Sequence, residues 1–76
     1  MEGVLFMSEL PLAAVDRIIR KSGAGRVSES AVKELAEVME EYGIKIAQQA
    51  GQFSKHANRK TIIDEDIRLV LKQQQK

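Results

Sequence analysis

The 76-residue chain has no cysteine and no tryptophan, and it contains one histidine, one proline, one tyrosine and two phenylalanines. Without cysteine there can be no disulfide and no thiolate zinc site, which is compatible with a reducing interior. A single histidine cannot form a histidine metal cluster. So few aromatic residues also argue against the stacking platforms that bind single-stranded nucleic acid.

Signals for catalysis and for membranes are missing as well. The sequence has no paired nucleophile and base, no metal-ligand spacing and no glycine-rich phosphate loop. We therefore predict that the protein is not an enzyme, with no cofactor and no catalytic or metal site. The apolar run from Val4 to Met7 lacks the flanks of a signal peptide and the length of a membrane span, so no membrane partner is expected.

The charges are arranged in blocks, although the net charge is only +1. Residues 17 to 26 hold four bases and no acid, residues 29 to 41 hold five acids and one base, and residues 42 to 63 hold four bases and no acid. A modest net charge can therefore conceal two separate basic regions and an acidic middle.

The chain is organised around a proline-free stretch from Glu29 to Ala57, in which apolar residues recur every three or four positions. They are Val32, Leu35, Met39, Tyr42, Ile46, Ala50, Phe53 and Ala57. This spacing predicts one long helix with a continuous apolar face. Ser28 is placed to cap its start.

The long helix requires a partner. At about 1.5 Å per residue it would extend roughly 43 Å, more than the width of a compact domain of this size. A chain this short is also marginally stable alone. We predict that a second copy crosses the first. A coiled coil is the competing interpretation, but the repeat covers only about three and a half heptads and Gln49 interrupts it.

Shorter elements flank the long helix. Pro11 to about Ser22 predicts a first helix, which ends at Gly23-Ala24-Gly25 and is followed by an extended link. After the long helix, Asn58 suits a left-handed helix end and Arg59 to Ile63 predicts a brief strand. Asp64 is a candidate cap for a third helix.

Five motifs, in this order and spacing, resemble the histone fold and specifically the archaeal histones. They are Glu9-Leu10-Pro11-Leu12, Arg17-Ile18-Ile19-Arg20, Gly23-Ala24-Gly25-Arg26-Val27-Ser28, His56-Ala57-Asn58-Arg59-Lys60-Thr61-Ile62 and Glu65-Asp66-Ile67. The expected organisation is a flexible N-terminal extension over residues 1–7, a histone-fold domain over 8–72 and a polar tail over 73–76. The expected class is all-α, with an antiparallel crossed homodimer.

The resemblance implies a protein that wraps and compacts double-stranded DNA without sequence preference. It implies that Arg26 enters the minor groove beside Thr61, that Lys60 contacts a phosphate, and that Arg17 and Arg20 face the DNA. Loop one of one chain would pair with loop two of the other. The expected location is the cytoplasm, in association with the chromosome or nucleoid.

Other residues match family positions that build larger particles. The resemblance implies that His56 and Asp66 join one dimer to the next, and Phe53 and Leu69 are candidates for the apolar part of that contact. Arg59 and Asp66 match an ion pair that fixes the second loop, and Gly23 matches a small residue where stacked layers approach. Because His56 is isolated, we favour hydrogen bonding at an interface over a metal or base role.

Some positions depart from the family pattern. Val32, Ile44, Gln52 and Ile63 stand where relatives often carry basic or polar residues, and many relatives have glycine in place of Asn58. Met1 to Phe6 precede the usual family start. Fewer bases affect the strength of DNA binding more than its mode.

Two alternatives accompany the expectation of a DNA-binding homodimer. A paralogue can replace one chain to give a heterodimer. From another class, histone folds also serve as dimerisation subunits of multiprotein transcription-related complexes. Such subunits need not keep the loop arginine, threonine and lysine together, and the presence of Arg26, Thr61 and Lys60 here favours DNA.

Overall fold

The computed structural model describes residues 8–75, and in this part of the chain it contains three helices and no strand. Helix α1 spans Leu12–Lys21, α2 spans Glu29–His56 and α3 spans Asp64–Gln74. This order of short, long and short helix confirms the predicted all-α architecture. The expected extension, residues 1–7, lies outside the described residues.

The chain divides into two compact units, Met1–Glu41 and Tyr42–Lys76, and α2 contributes to both. Within residues 8–75, no helix combines the length and the apolar character needed to cross a membrane.

Helix α1 begins one residue later than the sequence suggests. Pro11 is the extended residue before the helix, with φ −63° and ψ 123°, and its carbonyl accepts from the amides of Ala14 and Val15. The helix ends at Lys21 with Ser22 as its C-cap, and Gly23 follows with a φ of 104°, in the left-handed region that favours glycine. Gly23 therefore has a local role in stopping α1.

The first unit is held by a small apolar core. Val15 of α1 is buried against Val32 and Ala36 of α2. Partly buried residues surround this core, namely Leu10, Ile19, Val27, Leu35 and Met39. The segment before α1 is fastened to α2 through Glu40, whose carboxylate accepts from the Ser8 hydroxyl at 2.9 Å and from the Glu9 amide.

Local signals fix both ends of α2. The Ser28 hydroxyl accepts from the Ala31 amide at 3.0 Å, as expected of a helix cap. At the other end, Asn58 has a φ of 59°, the predicted left-handed conformation. The helix stops at His56, one residue before the predicted end. The Ala57 amide is shared between the Phe53 and Ser54 carbonyls, and the Asn58 amide donates to the Lys55 carbonyl in a tighter turn.

The apolar surface of α2 is only partly covered within one chain. Val32 and Ala50 are buried, but Val38, Tyr42 and Ile44 are 51%, 50% and 44% exposed. Large apolar side chains left in water are unfavourable, at about 25 cal/mol for each Å² that a contact could bury. This exposure supports the prediction that α2 has a partner.

Helix α3 is capped differently from the prediction. Ile63, not Asp64, precedes the helix, and the Asp66 carboxylate accepts from the Ile63 amide at 2.9 Å. Asp64 is instead the first helical residue. It forms an exposed pair with Arg68 at 3.1 Å, and this contact lowers the pKa of Asp64. The prediction of Asp64 as the cap was wrong because the carboxylate three residues later reaches the same amide.

The residues between α2 and α3 do not form the predicted strand. A strand requires a neighbouring backbone to pair with, and within the described residues this segment has none. Side chains fix it instead. Arg59 donates through Nη1 and Nη2 to the two Asp66 carboxylate oxygens at 2.9 and 3.0 Å, and Nη1 also donates to the Thr61 carbonyl at 3.0 Å.

The surroundings of Asp66 favour its charged form. The hydrogen bonds from Arg59, followed by the one from the Ile63 amide, lower the pKa of Asp66 to about 2 from an ordinary value of 3.8. The side chain is only 1% exposed. The same pair raises the pKa of Arg59. The stabilisation is present above the pKa of the unfolded chain and disappears as the pH falls through the folded value.

We predict that Asp66→Asn lowers the thermal midpoint at pH 7, because the half-buried Arg59 guanidinium loses its charged partner. Wild-type stability should fall between about pH 4 and pH 2, the interval bounded by the two pKa values. The variant should lose that part of the pH dependence, as measured by circular dichroism. Asp64→Asn, in an exposed pair, is the matched control and should change little. Parallel pH profiles for wild type and Asp66→Asn would contradict the prediction.

Candidate nucleic-acid interface

The loop before α2 presents one arginine to solvent. Arg26 is exposed, whereas the next residue, Val27, is half-buried and packs against the core of the first unit. In an extended segment neighbouring side chains point to opposite sides. Val27 thus anchors the link to the core, and Arg26 projects away from it.

Helix α1 adds exposed bases to the same unit. Arg17, Arg20 and Lys21 are all exposed. Arg20 donates from Nε to an Asp16 carboxylate oxygen at 3.1 Å, one turn earlier in the helix. Exposed pairs of this kind contribute at most about 1 kcal/mol, so a phosphate can replace Asp16 at little cost.

The loop between α2 and α3 belongs to the second unit and presents Lys60 and Thr61, which are both exposed. Its backbone is held from two directions. Arg59 donates to the Thr61 carbonyl, and the Ser54 hydroxyl of α2 donates toward the carbonyls of Arg59 and Thr61 at 2.8 and 3.1 Å. The loop that carries Lys60 is therefore shaped by its own chain.

A shallow groove beside this loop is electropositive. It is lined by Gly51, Ser54, Lys55, Asn58, Arg59, Lys60 and Ile62. None of these lining residues is acidic. The charge of Arg59 is balanced by Asp66, which leaves the ammonium groups of Lys55 and Lys60 uncompensated within the groove. Such a surface attracts a polyanion without reading its sequence.

The residues expected to join dimers differ in their exposure to solvent. His56 is the last residue of α2 and is exposed, Phe53 is half-buried, and Leu69 on α3 is 38% exposed. Asp66 is buried, and three hydrogen bonds from Arg59 and Ile63 occupy its carboxylate. The structure thus brings Asp66 together with Arg59, while His56 and Leu69 are accessible to another molecule.

Two contributors escaped the sequence interpretation. Glu40 accepts two hydrogen bonds from the segment before α1, and the Ser54 hydroxyl donates toward two carbonyls of the loop after α2. Each of them thus fixes a segment outside α2. Ser54 follows Ala50 by one helical turn, so it lies on the apolar face of α2, where a buried hydroxyl needs partners. That position is the signal by which Ser54 could have been found.

The side chains around the two loops can also be compared with those of metal sites. Among the residues described, no group of three or more acidic or histidine side chains is arranged to hold a metal ion. The exposed side chains within the loops include the cations of Arg26 and Lys60 and the hydroxyl of Thr61, groups that bind phosphates and sugars, while exposed carboxylates such as Glu29 and Asp64 begin the helices that follow.

Comparison with known proteins gives a consistent result. The family model described as "Histone-like transcription factor (CBF/NF-Y) and archaeal histone" matches residues 8–71. A subunit of the archaeal histone HAN1 of Thermococcus zilligii is 56% identical over 66 residues, which cover 87% of this chain and 98% of the relative. Probable archaeal histone 3 of Methanocaldococcus jannaschii is 47% identical over the same shares of the two chains.

A more distant similarity reaches a eukaryotic protein. A histone-like protein of Mus musculus is 39% identical over 64 residues, which cover 83% of this chain and 61% of the mouse protein. The match of the family model to most of the chain, together with two relatives aligned over nearly their full length, establishes that this chain belongs to the family of archaeal histones and histone-like transcription factors.

Proposed function

We propose that the protein binds double-stranded DNA without sequence preference and compacts it as dimers that assemble into chromatin-like particles. The observation that carries the proposal is the pair of exposed cationic loops, one with Arg26 and one with Lys60 and Thr61, on a chain of the archaeal histone family. Membership of this family supports a structural role at the chromosome or nucleoid over an enzymatic one.

The folded unit in this proposal is a homodimer. The exposed apolar side chains of α2, among them Val38 and Tyr42, need a cover that the described part of one chain does not supply. An antiparallel crossing of two copies of α2 covers them. It also places the first loop of one chain beside the second loop of the other, where the extended residues of each can pair.

The crossing concentrates positive charge at the two ends of the dimer. Each end would hold Arg26 from one chain and Lys60 with Thr61 from the other. In this arrangement Arg26 enters the minor groove, Thr61 supports it, and Lys60 neutralises a phosphate. Arg17 and Arg20 extend the contact along α1. None of these groups reads base edges in the major groove, so binding is independent of sequence.

The number of cations limits the strength of binding. Ile44 and Ile63 are 44% and 36% exposed, and Gln52 is exposed. Each is neutral at a position where the family resemblance leads us to expect bases or polar groups. Every missing phosphate contact lowers both the affinity and its salt dependence. We therefore expect the same mode of binding with a weaker electrostatic component.

Higher-order assembly uses the ends of α2 and α3. The side chains placed to contact another dimer are those of His56, Phe53 and Leu69. Asp66 is buried, so it acts on that contact by holding Arg59 and the second loop rather than by touching the other dimer. Gly23 has space around the position of a side chain, which is compatible with close approach of stacked layers. Its left-handed backbone gives a second reason for glycine there.

The partner chain has an alternative identity. The Thermococcus zilligii relative is named as a subunit of HAN1, so pairing with a paralogue is a second candidate for this chain. The exposed side chains of Ile44 and Ile63 fit pairing with a paralogue, since an apolar surface can distinguish one partner chain from another. A dimerisation subunit without DNA binding is less well supported, because both cationic loops are present.

We expect Arg26→Ala to weaken binding to unrelated duplexes by a similar factor, because the arginine responds to groove width more than to base identity. Lys60→Ala should reduce the salt slope of binding by about one unit for each phosphate contact that the substitution removes. Fluorescence anisotropy over a salt series measures both effects. Arg68→Ala and Lys45→Ala are matched controls on exposed helix surfaces. Binding that is unchanged in both test variants would place the DNA surface elsewhere.

We expect His56→Asp to leave dimers that bind DNA but protect shorter fragments from nuclease, because a carboxylate at this exposed position adds negative charge where dimers meet. A digest of the protein on long DNA measures the protected lengths. Gln52→Ala, at an exposed and uncharged position one turn earlier, controls for the loss of a side chain near the end of α2. A wild-type protection pattern in His56→Asp would show that dimers join elsewhere.

A further inference from the structure

Ser54 is a buried hydroxyl in the long helix. It lies in the second half of α2 and is only 4% exposed. Serine is a poorer helix former than alanine, and a buried hydroxyl without partners is unfavourable. Its presence on the apolar face of α2 therefore calls for a specific contact.

That contact is with the second loop. Ser54 Oγ lies 2.8 Å from the carbonyl oxygen of Arg59 and 3.1 Å from that of Thr61. A hydroxyl has one proton, which can be shared between two acceptors. The main-chain carbonyl of Ser54 accepts in turn from the Arg59 amide at 2.9 Å. One residue of α2 thus bonds to the loop backbone on both sides of Lys60.

Two sets of side-chain hydrogen bonds hold this loop, and they connect it to different helices. The Arg59–Asp66 pair ties the loop to the start of α3, and Ser54 ties it to α2. If the Ser54 hydroxyl were removed, the Thr61 carbonyl would keep the hydrogen bond from Arg59 Nη1 at 3.0 Å. The Arg59 carbonyl would have no remaining bond to α2. The Arg59 amide would keep its bond to the Ser54 main-chain carbonyl, but the peptide between Arg59 and Lys60 would lose the bond that sets its orientation.

We propose that Ser54 is a positioning residue for DNA binding, whose hydroxyl sets the backbone from which Lys60 and Thr61 reach the duplex. The inference rests on the proposed function, because Lys60 must be a DNA contact for its position to affect affinity. Both carbonyls that flank Lys60 turn toward Ser54, while Lys60 itself remains exposed. Ser54 does not touch DNA in this proposal.

Ser54→Ala separates positioning from stability. Alanine fits the space and favours the helix, which offsets part of the missing hydrogen bond, so the thermal midpoint should change little. Affinity for a mixed-sequence duplex should fall by about threefold to tenfold, the size expected for one hydrogen bond, and the salt slope should become shallower. Ser30→Ala makes the same chemical change at an exposed position of α2 and should bind as wild type.

A double-mutant cycle tests whether the effect acts through Lys60. In the Lys60→Ala background, Ser54→Ala should cause little further loss of affinity, because the contact that it positions is already gone. Full additivity of the two losses would overturn the proposal. A lower midpoint with wild-type affinity and salt slope would also overturn it, since Ser54 would then serve stability alone.

Measurements on the free protein distinguish failure of this inference from failure of the proposed function. Backbone order parameters of Lys60 and Thr61 from NMR relaxation should fall in Ser54→Ala and remain unchanged in Ser30→Ala. If Lys60→Ala leaves DNA binding intact, the proposed DNA contact is wrong, and these order parameters still decide whether Ser54 fixes the loop. Wild-type order parameters in Ser54→Ala would overturn the inference.

Discussion

The apolar surface that one chain leaves on α2 is the constraint on which the rest of the structure depends. The helix has 28 residues, and its central side chains Val38, Tyr42 and Ile44 are about half exposed. Each compact unit covers only its own part of the helix, through Val15 and Val32 in one and Val70 and Ala50 in the other. A second copy is the simplest cover, and it also brings loops from two chains together.

The two cationic loops are built by different means. The first depends on backbone conformation, with Gly23 ending α1 and Val27 anchoring the extended link. The second depends on buried polar groups, since Asp66 and Ser54 hold its backbone from two helices. Such contacts require exact geometry, because a buried polar atom without a hydrogen-bond partner is unfavourable. These contacts fix the backbone on either side of Lys60. The position of that backbone decides whether the Lys60 ammonium can contact a phosphate.

Sequence reasoning succeeded where the signal is local. The start of α2, the Ser28 cap and the left-handed Asn58 follow from neighbouring residues, so spacing and residue type were enough to predict them. It failed where a distant contact decides. Asp66 displaced Asp64 as the side chain at the start of α3, and the predicted strand at 59–63 lacks a pairing partner within the described chain. The bond from Ser54 to the second loop depends on a turn whose path cannot be read from periodicity. Among the site residues, the exposure of Arg26 and Lys60 agrees with a role in binding, and the two residues belong to different compact units.

The central claim, that a second copy completes the fold, is tested most directly by sedimentation equilibrium combined with thermal unfolding over a wide range of protein concentration. The mass should be twice the 8.5 kDa of one chain, and the midpoint of unfolding should rise with concentration because association stabilises the folded state. A folded species of 8.5 kDa whose midpoint is independent of concentration would contradict the claim.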